Sequence, residues 1–345
     1  MTFPSKNLDA TSIENPATPI GRANATLIRY PRFTQLQGNI QLCCDLSKIA
    51  GEPQCMILEG ATGTGKSTLV KSYASTYHHY ETASGTKIPV FYLETPSPVT
   101  VKGMAARLLE VLGDPGAHHG TLWSMNSRLI HFIRTCEVQL VILDDFHHLI
   151  DRETNRVMDK VSDWLKVLIK EANVPFLVVG LDGTVRRILE SNTQLSRLFA
   201  IRETLQPFQW DEQNPDSIQE FAAFVAFAES RIGILLTDEI ERKDLLYRLH
   251  VATNGVVGNV MNLLRYSVVL AQQRQADRLT LEIFSAAFDL RLAEHVRRGN
   301  PFAPPATRSA LPSKVAPTAE SRPESPANRH KKKQKPSVSE VLTTH

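Results

Sequence analysis

Nine residues, "GATGTGKST" from Gly60 to Thr68, have the composition and spacing of a phosphate cradle. They fit G-x-x-x-x-G-K-[ST]. Gly60, Gly63 and Gly65 let the backbone curl so that its N–H groups, with Ala61, Thr62 and Thr64 between the glycines, turn inward toward phosphate oxygens. The helix expected from Lys66 onward sets its positive end against the same anion. Lys66 is then placed to reach the β- and γ-phosphates, Ser67 offers a hydroxyl to Mg²⁺, and Thr68 completes the set. The ligands implied are ATP and Mg²⁺.

A second stretch, "VQLVILDDFHHLID" at 138–151, reads as a buried strand that ends on two carboxylates. Asp144 at the tip is the expected magnesium acid. Asp145 follows in the position that orients an attacking water, and it is one methylene shorter than the glutamate common there. That reach predicts slow turnover; a helix N-cap is the structural alternative for Asp145. His147 and His148 are expected not to converge on a metal, because helical neighbours point about 100° apart. The same holds for His78–His79 and His118–His119.

These residues need a scaffold. Short apolar runs at 54–60, 87–94, 138–144, 174–180 and 198–205 alternate with helical patterns at 33–49, 66–80, 101–113 and 122–136. Apolar strands separated by helices predict an α/β fold with a parallel sheet covered by helices on both faces. From about Pro207 the pattern becomes nearly all helix, which predicts a small helical lid domain. The expected organisation is a mobile N-terminal arm at 1–25, a nucleotide-binding core at 26–207, the lid at 208–298 and a disordered Pro-rich basic tail at 299–345.

Composition narrows the classes. The chain has 345 residues, 42% hydrophobic and 22% charged, ordinary for a globular protein. No apolar run approaches the ~20 residues of a membrane span, and the N-terminus lacks the pattern of a secretory signal. Cys43, Cys44, Cys55 and Cys136 show no CxxC spacing, so reduced thiols and a cytoplasmic location are expected. The net charge of +3 hides an asymmetry: residues 299–345 hold eight Lys/Arg and three Asp/Glu. The body is therefore not generally basic, and any nucleic-acid contact requires a local patch.

Taken in order, "RYPRFTQL", "ILEGATGTGKSTLV", "LVILDDFHHLI", "VPFLVVGLDGTVRRIL", "QLSRLF", "TNGVVGNVMNLL" and "GNPF" resemble AAA+ ATPases of the TniB/TnsC transposition-regulator type, more distantly MuB. The resemblance implies a P-loop AAA+ core and an ATP-dependent protein that oligomerises as a ring or helical filament on duplex DNA without reading its sequence. Its implied role is to mark the insertion site and recruit a DDE transposase. A TniQ/TnsD-like protein or an RNA-guided complex would choose the target, and hydrolysis would drive disassembly. By position, Arg197 resembles the arginine finger that reaches a neighbouring subunit's ATP, and Tyr30 and Pro31 resemble the segment beside adenine. Lys102, Arg107 and Lys87 fall in the region that follows DNA phosphates. Asn300, Pro301 and Phe302 resemble a short motif for the transposase. Where such proteins carry a polar sensor after the fourth strand, this chain has Leu181, with Asp182 or Thr184 nearby. Gly258 stands where a second sensor arginine is common. Other ATPases share these parts, so a STAND-type signalling ATPase, a replication loader or initiator and a nucleotide-locked scaffold remain alternatives.

Overall fold

Residues 18–97, 99–150, 155–293 and 299–303 are described in the computed structural model of the chain. A short helix α1 (Pro19–Ala25) and a long helix α2 (Pro31–Ala50) lead in. Each begins with proline, which loses nothing at a position whose N–H has no helical partner. The core follows as β1 (Met56–Glu59), α3 (Lys66–Ala74), a hairpin of β2 (Tyr80–Thr82) and β3 (Gly85–Lys87), and β4 (Val90–Glu94). Next come α4 (Val101–Val111), α5 (Leu122–Thr135) and β5 (Leu140–Asp144). A 3₁₀ turn at Phe146–Ile150, α6 (Asn155–Ala172), β6 (Phe176–Gly180), α7 (Thr184–Glu190), α8 (Thr193–Leu198) and β7 (Ile201–Thr204) complete it.

The five core strands are parallel, in the order β4-β5-β6-β1-β7. Every residue of β1, β5 and β6 is buried, as a sheet covered on both faces requires. Alternate side chains feed two cores. Met56, Leu58, Ile142 and Val179 join one with α2, α3 and the lid; Ile57, Val141, Leu143 and Val178 join the other with α4, α5 and α6. β1 lies between β6 and β7, while the next core strand in sequence, β4, lies at the far edge. The tip of β1 is therefore a place where the connections diverge, and open parallel sheets bind ligands at such points.

The lid consists of α9 (Pro215–Ile232), α10 (Arg242–Thr253), α11 (Val257–Gln273) and α12 (Leu281–Arg291). Two-residue strands β8 (Leu235–Leu236) and β9 (Arg278–Leu279) pair within it. The α/β class, the parallel sheet and the helical lid agree with the sequence expectation.

Four local expectations are corrected. Residues 18–25, placed in a mobile arm, form α1 instead and pack on α9 and α11. Ile20 and Ala23 are buried there, and the Arg22 Nε donates to the Ile232 carbonyl at 2.8 Å. The expected helix 66–80 stops at Ala74 because the Ser75 and Thr76 hydroxyls bond back to the Ser72 and Tyr73 carbonyls, a local competition that favours helix ends. The run 87–94 divides between the hairpin and β4, since Pro89 has no N–H for a ladder. Residues 299–303, placed in the tail, are described, and Asn300, Pro301 and Phe302 pack against the lid instead. The rest of the arm and tail lie outside the described residues.

Candidate functional site

The loop from Gly60 to Gly65 joins the tip of β1 to α3, and its shape depends on its glycines. Gly65, immediately before the helix, has φ +99°, a left-handed backbone that glycine adopts without cost. Gly60 has no such φ, but a Cβ there would collide with the Leu205 carbonyl oxygen. Lys66 is buried, and its Nζ donates to the Gly60 and Ala61 carbonyls at 2.8 Å each. Burial pushes the Lys66 pKa down, against the pull of Asp145 and Asp144.

Asp144 at the tip of β5 is fully buried. Its Oδ2 accepts from the Tyr92 hydroxyl at 3.0 Å and its Oδ1 accepts from the Asp145 N–H at 2.9 Å. Burial raises its pKa above the ordinary value, while hydrogen bonds from Ser67 and Tyr92 oppose the rise. A buried carboxylate beside a Ser67 hydroxyl is a hard-oxygen donor pair suited to Mg²⁺. Sequence reasoning missed Tyr92, whose only signal was a lone tyrosine in an apolar strand. Tyr92→Phe is expected to weaken Mg²⁺ about tenfold, the lower end for losing a partner of a metal ligand. It also removes a bond that lowers the Asp144 pKa. The carboxylate will therefore protonate at a higher pH as acid is added, and the acidic limb of Mg²⁺-dependent ATP binding will move upward. Titrating Mg²⁺ against a fluorescent ATP analogue at several pH values checks both effects.

Asp145 begins the 3₁₀ turn with φ +51°, and its carbonyl accepts the His148 N–H at 3.0 Å. The left-handed region is uncommon for residues other than glycine, and aspartate is among those that tolerate it. The turn alters the histidine geometry. On an α-helix His147 and His148 would diverge; here their rings lie 4.2 Å apart, centre to centre. Even so, no group of three or more metal-ligating side chains occurs among the described residues.

A cavity of about 510 Å³ gathers these parts. Thr62 to Thr68, Asp145, His147 and His148 line its polar end, together with Leu181. Leu27, Ile28, Tyr30, Phe224 and Met261 form an apolar end suited to a base. Tyr30 packs on Phe33, Phe208 and Phe224 with ring centres 5.2–6.0 Å apart, and burial pushes its pKa up to about 12. The predicted Pro31 does not line the cavity; it is exposed at the first position of α2. The lid closes one side through Gly258, whose N–H bonds the Gly63 carbonyl at 2.8 Å. A Cβ at Gly258 would lie 2.9 Å from that oxygen. The missing second-sensor side chain thus leaves room for direct contact between lid and loop backbone.

Arg197 lies outside this cavity, on α8, exposed, with Glu52 at 3.4 Å. Arg186, on α7, faces the buried Glu59: its backbone N–H donates to that carboxylate at 2.9 Å and its guanidinium lies 3.7 Å from it. Lys87 is corrected as a DNA contact. It is buried, donates to the Thr135 carbonyl at 3.0 Å and pairs with Glu137 at 2.9 Å. Arg107 is half-exposed and paired with Glu110 at 2.7 Å; Lys102 is exposed near the start of α4. Asn300, Pro301 and Phe302 are also corrected, because they are docked on the lid. Phe302 is buried and stacks on Phe284 at 5.3 Å, and the Pro301 carbonyl accepts from buried Arg248 at 2.9 Å. All four cysteines are buried and unpaired with one another. Among the described residues no helix is long and apolar enough to cross a membrane.

The family model described as "Bacterial TniB protein" matches residues 22–212. No curated protein matches the sequence. The fold is similar to Cdc6p from Pyrobaculum aerophilum, with TM-score 0.55 and 14% identity over 80% of this chain and 70% of that one. It is also similar to the Aeropyrum pernix Orc1 protein, solved in complex with DNA, with TM-score 0.52 and 15% identity over 79% and 67%. The Aeropyrum pernix ORC2 protein gives TM-score 0.51 and 12% identity over 76% and 68%. At such identities the likeness shows the fold, a P-loop AAA+ core.

Proposed function

Because the chain belongs to the TniB family and has an AAA+ fold, we propose that it is an ATP-dependent DNA-binding regulator of transposition. It oligomerises on target DNA, marks the insertion site and recruits the transposase, and ATP hydrolysis drives disassembly. The observation that carries the reading is the division of the catalytic set. The loop, Ser67, Asp144 and Asp145 gather at one site, whereas Arg197 is exposed outside its cavity. A guanidinium so placed serves a neighbour's γ-phosphate and not its own, which makes hydrolysis depend on assembly.

Within the site, Lys66 and the loop N–H groups hold the phosphates. Mg²⁺, which Ser67 and Asp144 would hold, supplies charge neutralisation on the phosphates when bound. Asp145 orients water. The lid reports occupancy of the loop through the Gly258–Gly63 backbone bond. DNA is contacted through its phosphates, with Lys102 as the remaining candidate, and such contacts give affinity without sequence preference. The Orc1 likeness adds that a related fold has been solved with DNA.

ATP with duplex DNA is expected to give rings or helical filaments by negative-stain electron microscopy, and neither ligand alone should do so efficiently. Monomers under every nucleotide condition would overturn the proposal. The short Asp145 favours one second reading, a nucleotide-locked scaffold. Single-turnover hydrolysis with and without DNA separates the two.

A further inference from the structure

Asp145 and His147 face each other with unmatched hydrogen-bonding groups. The His147 Nδ1 is buried and has no hydrogen-bond partner. The Asp145 Oδ1 lies 4.0 Å from it, and the Asp145 side chain makes no hydrogen bond among the described residues. That separation is beyond a hydrogen bond, whose N···O distance is about 2.9–3.0 Å. A rotation of the Asp145 side chain closes it.

The imidazole is held in place from several sides. Gly180, at the tip of β6, has no side chain, and a Cβ there would lie 3.8 Å from the His147 Nδ1. The His148 ring lies 4.2 Å from that of His147, centre to centre and tilted by 39°, and the turn is set by the His148 N–H on the Asp145 carbonyl at 3.0 Å. Burial and His148 push the His147 pKa down, against the opposing pull of Asp145. The neutral ring carries one N–H, and on Nδ1 that proton faces the Asp145 carboxylate across 4.0 Å. The next residue after Gly180 is Leu181, which lines the cavity but has no polar group to offer.

We propose that His147 is a positioning residue for ATP hydrolysis, its Nδ1–H orienting the Asp145 carboxylate and supplying beside β6 the polar group that Leu181 does not. The inference rests on the assignment of Asp145 as the water-orienting group. It also gives a short carboxylate a purpose: with less reach, Asp145 is more dependent on a fixed partner.

The test uses the full chain with DNA present and measures kcat, KM for ATP and the affinity for a fluorescent ATP analogue. His147→Leu should lower kcat roughly ten- to hundredfold, the worth of one hydrogen bond to a charged group, with KM and affinity unchanged. His147→Asn, whose amide lies where Nδ1 lies, should recover most of the rate. His147→Gln, whose amide lies nearer the Nε2 position, should not. On an Asp145→Ala background, His147→Leu should cost nothing further. Wild-type kcat in His147→Leu, or equal rates in His147→Asn and His147→Gln, would overturn the inference while leaving the function standing. Full turnover in Asp145→Ala would overturn the Asp145 assignment and the inference with it. Should His147→Leu not fold, the Asn and Gln pair decides alone.

Discussion

Asp145→Ala is expected to bind ATP and assemble on DNA like the parent chain, and to lose hydrolysis by about 10²-fold or more, the usual worth of a positioned base. Binding should survive because, in the proposed site, the loop and Lys66 would hold the phosphates, and Ser67 and buried Asp144 the magnesium. The carboxylate removed makes no hydrogen bond to any of them among the described residues. Assemblies of the variant should therefore persist in ATP where those of the parent decay. Light scattering after ATP addition, with phosphate release followed in parallel, reads both outcomes. Unchanged phosphate release would remove Asp145 from the mechanism. Asp145→Glu is a sharper comparison. It adds a methylene of reach, but φ is +51° at this position, where aspartate is tolerated better than glutamate. A left-handed residue of the wrong type costs about 1–3 kcal/mol. The variant is expected to be less stable even if its turnover is faster. The choice of aspartate thus has a backbone reason as well as a chemical one.

What the sequence reveals is divided by distance along the chain. The phosphate loop is legible because its chemistry is local: glycine spacing, one lysine and one hydroxyl within nine residues. Asp144 is legible because a strand tip is. The parallel sheet follows from apolar runs separated by helices, and the helical lid from the change in period after Pro207. Features made by distant pairs were not legible. Lys87 read as a free cation, but it is paired with Glu137 and donates to the Thr135 carbonyl, about fifty residues away. Tyr92 is an ordinary strand residue until the register β4–β5 sets Glu94 beside Asp144 and brings its hydroxyl within reach of that carboxylate. Residues 18–25 looked aperiodic because the helix is short and buries only Ile20, Gly21 and Ala23. His147 and His148 differ for another reason: read on an α-helix their rings diverge, whereas the left-handed Asp145 starts a tighter turn in which they lie 4.2 Å apart. The proposed reach of Arg197 to a neighbouring subunit comes from the resemblance, and its exposure on α8 is compatible with it.

Phe302→Ala is expected to destabilise the lid, by about 3 kcal/mol if the vacated site does not collapse. The sequence offered "GNPF" as a motif for a partner, which predicts an exposed phenylalanine and no effect on stability. In the fold Phe302 is 2% exposed and stacks on Phe284. Asn300 fixes the approach: its amide nitrogen donates to the Ser285 carbonyl, the Ser285 hydroxyl and Asp289, and its oxygen accepts the Phe302 N–H. Arg248, buried beside Asp244, completes the seat by bonding the Pro301 carbonyl. The loss of Phe302 therefore removes an aromatic contact and loosens the segment whose Pro301 carbonyl serves the buried guanidinium. Asn300→Ala should cost about 1–2 kcal/mol, since the groups it served are only partly buried. Pro301→Ala keeps the carbonyl and should be close to neutral. Urea denaturation, with hydrogen exchange read at α10 and α12, distinguishes the two accounts. A midpoint that Phe302→Ala does not move would return the motif to the partner reading, whereas a fall in the order Phe302, Asn300, Pro301 fixes it as the clasp that ends the lid.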